Sequence, residues 1–195
     1  VKIKRRGGFH LSVLFFGIDP MTTITTARLS LRPLRETDAG DIVRQLNNFA
    51  VSRWTARVPF PYSTLDAEDF LRRVAMLGTG NLVAAIVPKE TDRLIGVVGC
   101  EMQDPGEAEL GYWIAEDRWG KGFGREAATA MTDHAFAVLG HKALYSSYQV
   151  GNAASQRILE GLGFRRTGEG RSFSRARKSE ADVVFLRLDA KDRRP

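Results

Sequence analysis

Cysteine is almost missing from this chain: Cys100 is the only one in 195 residues. That excludes an intramolecular disulfide framework and a cysteine-based zinc cage. Histidine is scarce too. His10, His134 and His141 are dispersed and show no metal-ligand spacing. No stretch approaches the roughly 18 unbroken apolar residues of a membrane-spanning helix. Strong charge of one sign is also lacking. The net charge is +6, and Lys2, Lys4, Arg5 and Arg6 against Asp19 place half of it in the first twenty residues. The mildly basic remainder suits an anionic ligand without demanding nucleic acid. Its basic residues lack the interleaved aromatics of a single-strand binder. What is present is ordinary globular composition, 43% apolar and 27% charged, which excludes wholesale disorder. The length fits one domain with a core large enough to need no staples.

Residues 1–20 imitate a signal peptide, with a basic start and the run Phe9 to Ile18. The apolar part is short, holds His10 and Ser12, and ends in Asp19-Pro20 without a small-x-small cleavage site. The expectation is a leader upstream of a natural start at Met21, a cytoplasmic protein, one domain over 21–190 and a charged tail over 191–195.

Ile24–Leu34 reads as one strand ended by Pro33. Thr37 is expected to cap a helix closed by Asn47-Asn48, and the proline-rich stretch 51–62 no regular element. Ser63 with Asp66 starts a second helix whose stripe is Leu65, Phe70, Leu71, Val74 and Leu77. Strands follow over 82–87, 94–102 and 109–115, then a long helix stopped by Gly140. A strand over 143–150, a short helix capped by Asn152, and strands over 164–167 and 182–188 complete the chain, the last two separated by a basic loop. Early antiparallel hairpins and late alternation indicate an α/β chain with a mixed sheet and helices on its faces.

The chemistry lies in Glu109-Leu-Gly-Tyr-Trp-Ile-Ala115 and the Gly120-x-Gly122-x-Gly124 that opens the long helix. Glycines let backbone amides converge where a side chain would block the approach. The helix start adds unpaired N–H groups and partial positive charge, which together make a seat for phosphate or pyrophosphate. The third glycine comes one residue too early for a dinucleotide fingerprint, and the Gly-Lys-Ser/Thr ending of a nucleotide-triphosphate loop is missing.

Trp119-Gly-Lys-Gly-Phe-Gly124 resembles the acetyl-coenzyme A loop of the GNAT acetyltransferases, with Trp119 in the usual Gln/Arg place. The chain is similar to the RimJ/RimL-like branch at Thr26-Ala-Arg-Leu-Ser-Leu-Arg-Pro-Leu34, Pro59-Phe-Pro-Tyr-Ser63, Glu109-Leu-Gly-Tyr-Trp113 and Asn152-Ala-Ala-Ser155. The resemblance implies a mostly antiparallel sheet of about seven strands with about four helices, splayed between the fourth and fifth strands. It implies transfer of acetyl from acetyl-coenzyme A, with no metal, to a primary amine such as a protein N-terminus. Backbone groups of Trp113, Ile114 and Ala115 would line the pantetheine arm, and the Ile114 N–H would polarise the thioester carbonyl. Amides of Gly120, Lys121, Gly122, Phe123 and Gly124 would hold the pyrophosphate beside Trp119, and Asn152 would touch the arm.

Glu109 is the base candidate and Glu107 the next. The acid candidate is Ser155, because the position of the family's tyrosine holds Leu159. Cys100, in an apolar strand, is read as inert, so direct transfer in a ternary complex is expected. Acceptor recognition is assigned to 49–63, through Trp54, Arg57, Phe60 and Tyr62, and to the basic stretch Arg165–Lys178. The protein would be a monomer or homodimer with no membrane or DNA partner. Polyamine or aminoglycoside acetylation, and a non-catalytic acyl-coenzyme A or RNA-binding module, are the competing readings.

Overall fold

The computed structural model describes residues 23–193. The leader over 1–20 and the start at Met21 lie outside the described residues. Eight strands form one sheet: β1 (Ile24–Thr25), β2 (Leu29–Pro33), β3 (Leu82–Pro88), β4 (Gly96–Asp104), β5 (Glu107–Ile114), β6 (Ala143–Gln149), β7 (Arg165–Ser174) and β8 (Ser179–Asp189). Their order is β1-β2-β3-β4-β5-β6-β8-β7. Every neighbouring pair is antiparallel except β5 with β6.

Helices cover both faces. On one face α4 (Phe123–Ala137) and α5 (Ala153–Gly161) close a core of Leu29, Leu31, Ile86, Val98, Leu110, Met131, Leu144 and Leu186. On the other, α1 (Ala39–Leu46), α2 (Phe49–Ser52) and α3 (Thr64–Ala75) bury Ile42, Leu46, Val83, Ala85, Val87 and Val97. Period-2 alternation along β3 and β4 sends neighbouring apolar side chains into the two cores, so both strands read as continuous apolar runs.

The structure corrects several expectations. The first strand is a hairpin, because Thr26 and Leu29 bond across a turn and Ile24 pairs with Leu31. The extra strand raises the count to eight. Thr37 caps nothing: a 3-10 turn over Glu36–Asp38 precedes α1, and Asp38 accepts from the Arg35 N–H at 2.7 Å. α2, capped by the Asn48 side chain on the Ala50 N–H, takes in the first two residues of the proline-rich stretch, and 53–62 forms no helix or strand, as expected. Leu65 is 71% exposed and leaves the α3 stripe. The basic loop is a long hairpin, whose paired residues run from Arg165↔Arg187 to Ser174↔Ser179. The start of the charged tail is ordered too, with Arg193 on Asp133 at 2.8 Å.

Arg32 and Asp38, 6% and 5% exposed, form a forked pair at 2.9 and 2.8 Å beneath α1. Removing one partner strands a buried charge. Arg32→Ala is expected to lower folding stability by about 3–5 kcal/mol in urea titration.

Candidate active site

β5 and β6 pair only at Glu107↔Ala143, Ala108↔Leu144 and Glu109↔Tyr145. Beyond them the strands part, and the backbone groups of β5 that face β6 need other partners. Ser146 Oγ donates to the Leu110 carbonyl at 2.9 Å, and the Trp119 indole N–H donates to the Ile114 carbonyl at 2.8 Å. On its opposite edge β5 is fully laddered. The Ala115 N–H bonds the Ile95 carbonyl at 2.8 Å, which fixes the alternation of the β4–β5 ladder. Trp113 therefore directs its backbone to β4, while Ile114 directs its N–H into the gap. Of Trp113, Ile114 and Ala115, only Ile114 offers a gap-facing donor. The Trp113 ring packs into the α1–α3 core, and the Ala115 N–H is already used.

The glycine loop joins β5 to α4. Gly120 and Gly122 have φ of 72° and 81°, where a side chain would be strained. Nothing lies within 4 Å of a side chain placed on Gly120. Gly124 serves packing, since a methyl there would meet Ile114 and Ile158 at 3.4 Å. Among the described residues, none of the amides of Gly120, Lys121, Gly122, Phe123 and Gly124 donates to another backbone carbonyl. Lys121 turns its ammonium back onto the Asp117 carbonyl at 2.9 Å. Arg28, from the β1–β2 turn, holds the loop from outside. It donates to the Lys121 carbonyl at 2.9 Å, stacks on Phe123 at 4.7 Å and bonds Glu126 at 2.7 Å. Burial alone would raise Glu126. Hydrogen bonds from Thr26 and from the Arg28 N–H and guanidinium outweigh it and hold the carboxyl below its ordinary value.

Two hydroxyls bridge the gap on the helix side. The Tyr112 and Ser155 oxygens are 3.0 Å apart, and Asn152 accepts from the Ser155 N–H at 3.1 Å to cap α5. Burial pushes Tyr112 up to about 12, so it stays a neutral O–H donor. Tyr112 escaped the sequence reading. Its signal was period-2 placement between Leu110 and Ile114. Leu159, in the tyrosine position, is fully buried core.

On the opposite face, residues 53–57 strap across the gap. Arg57 donates to Glu109 at 2.9 Å on β5. The Thr55 carbonyl accepts from Gln149 at 3.4 Å at the end of β6, and from Ser174 at 3.2 Å in the β7–β8 hairpin. Trp54 lies 3.7 Å from where a Gly151 side chain would begin. Phe60 packs on Phe49, centroids 5.2 Å apart. Tyr62 is withdrawn from the acceptor wall. It is 5% exposed, its hydroxyl donates to the Asp66 carbonyl at 3.1 Å, and burial pushes it up to about 12. Glu107 sits at the closed end of the gap, held by Arg187 at 3.1 Å and Tyr145 at 3.0 Å.

Residues 28–165 match the acetyltransferase (GNAT) domain. The chain belongs to the GNAT acetyltransferase family. It is 31% identical over 173 residues to the uncharacterized N-acetyltransferase p20 of Bacillus licheniformis, covering 86% of this chain and 96% of that protein. The fold is similar to Mycobacterium smegmatis RimJ in complex with CoA-disulfide, at TM-score 0.76, 19% identity and 88% of each chain. It is also similar to the ribosomal-protein-S5-alanine acetyltransferase of Vibrio fischeri, at TM-score 0.74 and 19% identity, covering 89% of this chain and all of that one.

GNAT acetyltransferases take acetyl from acetyl-coenzyme A, a thioester with a diphosphate. Open space over Gly120 and unpartnered loop amides fit such an anion. Gly120→Asp would point a carboxylate into that space at a backbone-strain cost of about 1–3 kcal/mol. Coenzyme A affinity measured by calorimetry is expected to fall at least about tenfold, as loss of one charge-assisted contact implies.

Proposed function

We propose that this GNAT enzyme acetylates the N-terminal amine of a protein or peptide, directly from acetyl-coenzyme A within one ternary complex. The observation that carries the reading is the two-sided gap. Ile114 N–H and the Tyr112–Ser155 pair face it from the helix side, and Glu109 faces the strap side. Acetyl-coenzyme A supplies the activated acetyl group. Loop amides from Gly120 to Gly124 hold its diphosphate, and the Ile114 N–H polarises the thioester carbonyl. A donor aimed at such developing charge contributes about 3–4 kcal/mol.

Glu109 takes the proton of the attacking amine, directly or through water. An α-amine near pKa 8 is about a tenth neutral at pH 7, so a modest base suffices, whereas a lysine near 10.4 is far less available. With Tyr112 as the donor of its 3.0 Å pair, the serine O–H is free to face the departing sulfur. Burial pushes the Cys100 thiol up to about 12, which supports direct transfer over an acyl-cysteine. The ribosomal-protein-S5-alanine acetyltransferase among similar structures supports a protein as acceptor.

Thiol release from acetyl-coenzyme A with a panel of N-terminal peptides, polyamines and aminoglycosides tests the acceptor class. Peptides are expected to turn over fastest, and a polyamine or aminoglycoside preference would overturn the reading. Glu109→Gln is expected to lower kcat/KM by about 10²-fold or more while coenzyme A affinity holds. Ser155→Ala is expected to slow natural thioesters, and a donor with a more acidic thiol should recover the rate. Equal loss with both donors would remove Ser155 from the acid role.

A further inference from the structure

The strap carries charge that the transfer chemistry does not use. Arg53 and Arg177 flank Trp54, their guanidinium carbons 4.6 and 5.0 Å from its ring. Arg177 donates to the Arg53 carbonyl at 3.0 Å, and Arg175 to the Arg57 carbonyl at 3.2 Å. Two like charges are thus pressed against one indole with a third beside them. Among the described residues, no carboxylate lies within 4 Å of Arg53, Arg175 or Arg177, although Arg57 and Arg73 nearby hold Glu109 and Glu101.

The same place concentrates unmet hydrogen bonds. Seven buried side-chain polar atoms lack a partner among the described residues, and Arg53 Nε, Gln149 Oε1 and Arg177 Nη2 are three of them. Gln149 is 6% exposed. Buried polar atoms are ordinarily paired, and such a cluster marks a place built for something else. Burial and the charge of Arg53 both pull Arg177 below its ordinary value, which an added anion would reverse.

We propose that the Arg53–Trp54–Arg177 stack, with Arg175, reads a carboxylate side chain close behind the acceptor amine, so that the preferred acceptor is an acidic peptide N-terminus. This rests on the peptide-amine reading above. Guanidinium groups bind carboxylates through paired N–H donors. Position sets the register. Arg57 marks Glu109, where the amine is deprotonated, and Trp54 stands three residues away along the strap. The strap turns between them, so at most about 10 Å of chain separates the two, and the carboxylate belongs to the second, third or fourth residue of the acceptor.

The test uses the full chain and two peptide sets of equal length and equal first residue, with Glu or Gln at positions two to four. Thiol release is expected to favour the Glu set by about tenfold or more in kcat/KM. The double variant Arg53→Gln with Arg177→Gln should bring that ratio near one while coenzyme A affinity holds. The milder Arg53→Lys with Arg177→Lys should keep part of it, and serves if the first variant does not fold. Calorimetry with the same peptides carrying an acetylated first amine probes the carboxylate site without turnover. Equal binding of blocked Glu and Gln peptides, or a Glu preference undiminished in whichever variant folds, would overturn the proposal. Preferential binding of blocked Glu peptides without turnover of free ones would keep the site and overturn the transfer reading instead.

Discussion

Three residue pairs hold β5 beside β6, and past Glu109 and Tyr145 the two strands diverge. A parallel pair that stops early leaves strand edges with unmet N–H and C=O groups, which are costly when sealed from water. The chain answers two of the carbonyls with side chains. Ser146 serves Leu110, the Trp119 indole serves Ile114, and Tyr112 with Ser155 spans the space between strand and helix. The Ile114 N–H is left pointing into the gap. The proposed thioester site rests on that incomplete pairing.

The glycine loop depends on the same parting. It begins where β5 ends, so the direction of β5 sets where its amides converge. Glycine freedom alone would leave the loop loose, and Arg28 supplies the missing constraint from the other end of the chain. One guanidinium touches the Lys121 carbonyl, the Phe123 ring and the Glu126 carboxylate. Contacts of this kind, between residues nearly a hundred positions apart, rigidify a binding loop without occupying its open face.

The opposite face is governed by charge. The strap joins β5 to the β7–β8 hairpin through Arg57, Thr55 and Trp54, and its arginines divide into two groups. Arg57 is neutralised by Glu109, while Arg53, Arg175 and Arg177 answer only to carbonyls and to an aromatic ring. An exposed ion pair contributes little stability. The pairing of Arg57 with Glu109 is better understood as placement of the carboxylate at the mouth of the gap.

Much of this was legible in the residues. The Gly120-x-Gly122-x-Gly124 triplet before a helix, the Asn152 cap, the Ser63–Asp66 capping box and the period of β5 are local features, decided by backbone sterics and short-range hydrogen bonds. Local rules also offered Glu109 and Ser155, the residues of the proposed chemistry. They failed where distant partners intervened. Thr37 reads as a helix cap until Arg32 draws Asp38 inward and a 3-10 turn precedes α1. Tyr62 reads as a wall of the acceptor site until α3 covers it. The stretch over 165–174 reads as part of a basic loop until β8 pairs with it. Sequence alone determined the strand-to-helix glycine turn and the family, because each motif behind them is a run of residues within a few positions of one another. Only tertiary structure decided which backbone amide faces the gap, that Tyr112 meets Ser155, and that Arg53 and Arg177 share the Trp54 ring. Those outcomes depend on strand register and on packing between segments that the chain brings together only when folded.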